Sequence, residues 1–166
     1  MLKAGENIEK TEDVARGLFS PKLITPDGHI LPRAFMLNPN SAEDYISVAL
    51  KSESSWLDDI KKIPEHKNRK LYGYCTLNVG DIIDGNADER DNAPVFDNVC
   101  YEVKSCTSAD NVSHCGIYIS VDGKLLLGNS TPENVDIPEG KTLNDLTLFI
   151  YNHLLSNASE PVRMER

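Results

Sequence analysis

No two cysteines in this 166-residue chain stand in a C-x-x-C spacing; the four present are Cys75, Cys100, Cys106 and Cys115. Structural zinc takes paired ligands two to four residues apart, so neither these thiols nor the neighbouring His114 predicts a metal site. The opening MLKAGENIEKTEDVARG lacks an apolar h-region. It therefore does not read as a secretory signal, and the expectation is a cytoplasmic chain whose reduced cysteines serve as small apolar residues. No apolar run approaches the length of a bilayer span, which excludes a helical membrane crossing. The phosphate-cradling loops G-x-x-x-x-G-K-[ST] and G-x-G-x-x-G are missing, as are H-E-x-x-H and G-x-S-x-G, so no cofactor is implied. Basic residues are in deficit, 17 against 26 acidic, for a net charge of −9. Nucleic acid is not an expected partner, because binding phosphates needs clustered Lys and Arg. A basic protein partner suits the acidity better, as with immunity or antitoxin-like proteins, since opposite potentials speed association. Nothing here fixes an oligomeric state.

What is present reads as a globular domain. Hydrophobic residues make up 40% and charged residues 26%, and the length predicts one domain over residues 1–166. Ile8 to Phe19 places Val14, Ala15, Leu18 and Phe19 among charges, which predicts a short amphipathic helix or a loose arm over residues 1–19. Pro26-Asp27-Gly28 is turn chemistry between the apolar runs Lys22–Ile24 and His29–Leu31, so a hairpin-like turn is expected. Tyr45–Leu50 has strand composition. Ser54 or Ser55 opens a helix from Trp56 to Ile63, with Asp58 and Asp59 in its first turn and Lys61 and Lys62 in its last. Trp56 itself reads as core or a half-buried anchor. Leu71–Val79 is the next strand, which Gly80-Asp81 turns into Ile82-Ile83.

The acid-rich stretch Asp84–Asp97, with Asp88, Glu89 and Asp91, lacks regular calcium-loop spacing and reads as a solvated loop. Strands resume at Val99–Val103 and at His114–Val121, and Asp122-Gly123 is a two-residue hairpin signal leading into Lys124–Leu127. Thr142 with Asp145 forms a capping-box pattern ahead of the stripe Leu143, Leu146, Ile150 and Leu154, and this predicts the clearest helix in the chain. Residues 157–166 form a polar tail expected to fray. The whole predicts an α+β domain, a mostly antiparallel sheet with about three helices.

Ser113-His114-Cys115-Gly116-Ile117-Tyr118 resembles the histidine strand of NlpC-type papain-like peptidases. Leu77-Asn78-Val79-Gly80-Asp81-Ile82 is similar to their L-x-P-G-D-L segment, and Gly28–Arg33 to their G-x-x-L-P-R segment. The resemblance implies His114 as a catalytic base, but no Cys occurs before Cys75 to match that family's nucleophile. A second layout is Asp27-Gly28, Ala34-Phe35, Ile46-Ser47-Val48, Gly80-Asp81 and Ser113-His114-Cys115-Gly116-Ile117. It is similar to a group of small bacterial proteins and implies a small bacterial domain, with no chemistry attached.

Three polar residues are candidates for a site. His114 titrates near neutrality and can serve as a base, Arg33 can hold an anionic group in its planar fork, and Ser47 can be an acceptor or donor. The leading expectation is a binding or regulatory domain with a protein partner. The alternative is a hydrolase or transferase using His114, Arg33 and Ser47, or a degenerate NlpC-like cysteine peptidase.

Overall fold

The computed structural model describes residues 2–85 and 93–164. Its centre is β1 (Asp13–Ser20), a strand buried on both faces. Val14 and Leu18 face one apolar cluster, while Ala15 and Phe19 face another. A strand sandwiched in this way loses the polar alternation that marks a half-exposed one. Of the helix or arm expected over residues 1–19, the part from Asp13 onward is thus corrected to a central strand. Val14, Ala15, Leu18 and Phe19 mimic helical spacing because Arg16 and Gly17 interrupt an otherwise apolar strand.

Around β1 are β2 (Ile46–Leu50), β3 (Lys70–Asn78), β4 (Val99–Ser105), β5 (His114–Val121), β6 (Lys124–Leu125) and β7 (Val162–Arg163). They form one antiparallel sheet in the order β4-β5-β2-β1-β3-β7, with β6 paired to β5. Three α-helices complete an α+β fold: α1 (Trp56–Lys61), α2 (Val79–Asp84) and α3 (Leu143–Ser156). A 3-10 turn spans Pro32–Phe35. No described helix is long and apolar enough to cross a membrane.

The larger cluster lies between the sheet and α3. Ile46, Val48 and Leu50 of β2, together with Cys115, Ile117 and Ile119 of β5, meet Leu146, Ile150 and Leu154 there. Each of the Ile, Val and Leu side chains among them, taken fully out of water, contributes about 1.5–3 kcal/mol. α3 starts as its sequence predicts. Thr142 Oγ1 accepts from the Asp145 N–H, and the Asp145 carboxylate accepts from the Thr142 N–H. On the opposite face, α1 covers only part of the sheet, packing Ile60 on Ala15, Phe19 and Ala49. Trp56 stands edge-on to Tyr74, with ring centroids 5.0 Å apart.

The turns follow their chemistry. Gly28 (φ +93°) closes the Pro26-Asp27-Gly28 turn, with Ile24 bridged to Ile30. Asp122 and Gly123 both take positive φ between β5 and β6, as a two-residue hairpin of this hand requires. Three further expectations change. Gly80-Asp81 lies within α2 instead of a turn, because Asn78 Oδ1 caps the Asp81 N–H and starts a helix. The return strand after the hairpin is shorter than Lys124–Leu127. The tail does not simply fray: Val162 and Arg163 add β7 to the edge of β3, opposite Tyr74 and Gly73. Asp88, Glu89 and Asp91 of the acidic stretch lie outside the described residues.

Candidate functional site

Pairing between β1 and β2 is confined to Val14↔Leu50 and Ala15↔Ala49. β1 instead follows β3 along its whole length, from Asp13↔Asn78 to Ser20↔Lys70, with a bulge at Leu18/Phe19. β2 follows β5, from Ala49↔His114 to Ile46↔Ile117. Two strands that each follow a different neighbour part company beyond Ala15. Arg16 spans the opening, its Nε donating to the Ala34 carbonyl (2.8 Å) and its Nη1 to the Ser47 carbonyl (3.0 Å).

Residues directly opposite in an antiparallel ladder share a face, and so do their neighbours two along. The Ala49↔His114 and Ser47↔Gly116 pairs therefore bring Ser47 and His114 to the same face, diagonally placed. Ser47 Oγ and His114 Nε2 lie 2.8 Å apart. This is the face that α1 covers only in part, and Ser47 is exposed on it. Tyr45 packs over Gly116, where a Cβ would come within 2.7 Å of its ring. The same ring meets His114 edge-on, with centroids 5.6 Å apart. Burial pushes the His114 pKa below its ordinary value, so the imidazole is neutral at neutral pH and Nε2 can accept a proton.

Behind His114 the backbone is anchored by a buried carboxylate. Asp59 Oδ2 on α1 accepts from the Ser113 hydroxyl (2.6 Å), the Ser113 N–H (3.3 Å) and the Ser55 hydroxyl (3.0 Å). Burial alone would raise the Asp59 pKa. The Ser113 and Ser55 hydrogen bonds and the nearby Lys62 outweigh it, and the carboxyl stays below its usual range. Ser55 thus serves Asp59 instead of capping α1 with its side chain. Among the described contacts no carboxylate bonds His114, so the arrangement is a Ser–His pair with its orientation set by Tyr45 and by the strand.

The pair borders a cavity of about 290 Å³ whose wall includes Arg16, Gly17, Arg69 and Asn111. Asn111 Oδ1 is buried there without a hydrogen-bond partner. A second cavity of about 300 Å³ adjoins it, and Arg16, Phe19, Leu23 and Arg69 line both. Arg33 lies in this second cavity, half-buried on the 3-10 turn. The three candidates are thus placed along one groove: Ser47 and His114 bonded at one end, Arg33 in the other half.

Cys75 and Cys115 lie on the opposite side of the sheet from this pair, in the α3-facing core, and burial pushes both thiols up to about 12. Neither is a thiolate at neutral pH.

Arg16, Arg69, Tyr45 and Asn111 were not apparent as site residues from the sequence. For Arg16 a signal existed: a lone guanidinium inside the apolar stretch from Val14 to Phe19, next to a glycine, marks a gap in a central strand. For Arg69 and Asn111, both in connecting segments, none did. Compared with protein-family models, curated proteins and solved structures, the chain matches none.

Proposed function

We propose that the groove is the active site of a hydrolase or transferase acting on an ester-like acyl bond, with Ser47 as nucleophile and His114 as general base. The observation that carries this reading is the 2.8 Å contact between Ser47 Oγ and a neutral His114 Nε2 at the edge of a cavity. Nucleophile and base within hydrogen-bond reach are the minimum geometry for this chemistry. Nε2 takes the hydroxyl proton as Oγ attacks the carbonyl carbon, and the imidazolium then passes that proton to the departing alcohol. Water, or a second alcohol, attacks the acyl-serine in the return half, with His114 again holding the proton in transit. The four cysteines are free, which favours a reducing, cytoplasmic setting for this activity.

A fluorophosphonate probe, which phosphonylates activated serine hydroxyls, tests the reading. Mass spectrometry of the labelled protein is expected to place the adduct on Ser47, and His114→Ala is expected to abolish it. A folded protein that leaves Ser47 unmodified would sink the hydrolase.

The net charge of −9 favours a second reading, a binding or regulatory domain that docks a basic protein partner. That reading expects Ser47→Ala to change nothing and the association to weaken steeply with salt.

A further inference from the structure

The groove is cationic in a chain that is acidic. The second cavity, which adjoins the one beside the Ser47–His114 pair, is lined by Arg16, Lys22, Arg33 and Arg69, with Glu43 as its one carboxylate among the described residues; Asp59, in the wall of the first, is engaged by Ser113 and Ser55. Glu43 Oε1 already accepts the Asn38 N–H at 3.3 Å. Lys22, Arg33 and Arg69 have no ion pair among the described residues. Basic groups gathered in one concavity repel one another unless something anionic enters.

Two of the guanidinium groups are held in place, which is what recognition of a planar or tetrahedral oxyanion needs. Arg16 is fixed by the Ala34 and Ser47 carbonyls. Both acceptors are neutral, so its charge goes uncompensated by them and the rest of its five N–H donors remain for another acceptor. Arg69 stacks over the Phe19 ring, 4.6 Å from its centroid, and no side-chain hydrogen bond or ion pair of its fork is found among the described residues. Both residues also form part of the cavity beside the pair, so a group bound between them lies next to Ser47.

We propose that this basic half of the groove is an oxyanion subsite that takes a carboxylate or phosphate group, held by Arg33 and Arg69 beside the fixed Arg16. Its volume of about 300 Å³ suits one such group on a small molecule. The chain's net charge of −9 favours a small anion over a polyanionic nucleic acid. As a substrate class this rests on the hydrolase reading: the substrate is an acyl ester that also carries a carboxylate or phosphate group, with that anionic end in this subsite and its acyl carbon at Ser47. As a binding site it rests on the arginines alone.

The test is titration of the ¹⁵N-labelled protein with inorganic phosphate and, separately, with succinate, at constant ionic strength, following the arginine Nε–H and backbone resonances. Saturable shifts at Arg33 and Arg69 are expected with one anion or both, and which one responds identifies the source. Arg33→Gln and Arg69→Gln, at half-buried and exposed positions, are expected to keep the fold and to weaken binding by about tenfold each, one charge-assisted contact apiece. Ser47→Ala should leave the affinity unchanged. Shifts that never saturate, or Gln variants that bind as the parent does, overturn the subsite. Anion binding without fluorophosphonate labelling of Ser47 keeps the subsite and removes the hydrolase; labelling without anion binding does the reverse.

Discussion

Arg16 Nη1 donates to the carbonyl oxygen of Ser47 at 3.0 Å, so a side chain of β1 holds the backbone of the residue whose hydroxyl meets His114. The two strands are unpaired at this level, and the guanidinium stands in for the missing ladder. Arg16→Met removes both of its hydrogen bonds and leaves the Ala34 and Ser47 carbonyls without those donors. A loss of about 2–4 kcal/mol is expected in urea denaturation followed by Trp56 fluorescence. Arg16→Lys, able to keep one bond, should fold and should label more slowly at Ser47. A Met variant within about 0.5 kcal/mol of the parent would show that the strands close without the arginine.

Acid sensitivity follows from two histidines. Burial lowers the pKa of His114, and it lowers that of His153 too, although the bond from its Nε2 to the Ile82 carbonyl (2.7 Å) works the other way. A histidine whose folded pKa is depressed binds fewer protons folded than unfolded. Its contribution is therefore complete above the unfolded value of about 6.5 and is lost as pH falls below it towards the folded value. Urea midpoints should drop as pH falls below about 6.5, a window above that in which Asp59 and its hydrogen bonds respond. His153→Gln removes one of the two groups and should make that drop shallower; an unchanged slope would assign it elsewhere.

The capping box of α3 supplies a calibration of local energetics. Thr142→Ala removes the hydroxyl that accepts the Asp145 N–H, at an exposed position away from the groove. A loss of about 1 kcal/mol is expected in the same denaturation measurement. Fluorophosphonate labelling of Ser47 should not change, since α3 lies on the other side of the sheet from the pair.

Elements with one buried face were legible in the sequence, and those whose environment is set by distant chain were not. α3 shows a clean stripe and a cap, and β5 alternates, so Cys115, Ile117 and Ile119 go inward while His114, Gly116 and Tyr118 go outward. β1 defeats periodicity because it is covered on both sides. α2 depends on a cap from Asn78, whose side chain also reaches Asp13 on β1 (3.2 Å), a contact 65 residues away. The site divides in the same way. Ser47 and His114 stand out as polar residues on predicted strands, but their meeting depends on the β2–β5 register. Arg16 and Arg69 acquire their roles only through the splay of β1 from β2 and the placing of Phe19 beneath a guanidinium.

The last strand rests on the absence of one side chain. β7 is two residues long and pairs with β3 through Gly73↔Arg163 and Tyr74↔Val162. A Cβ at position 73 would lie 1.8 Å from the Val162 carbonyl oxygen, a backbone atom that cannot turn away as a side chain would. Gly73→Ala must therefore push β7 off the sheet or bend β3. β7 is the cheaper to move, because it is an edge strand with exposed Val162 and Arg163, whereas β3 is locked to β1 over eight register pairs. The expected result is a protein of nearly parental stability whose C-terminal segment becomes sensitive to trypsin at Arg163. A resistant Arg163 with a large loss of global stability would mean that β3 yields instead, and that the terminal strand is bound more tightly than its two residues imply.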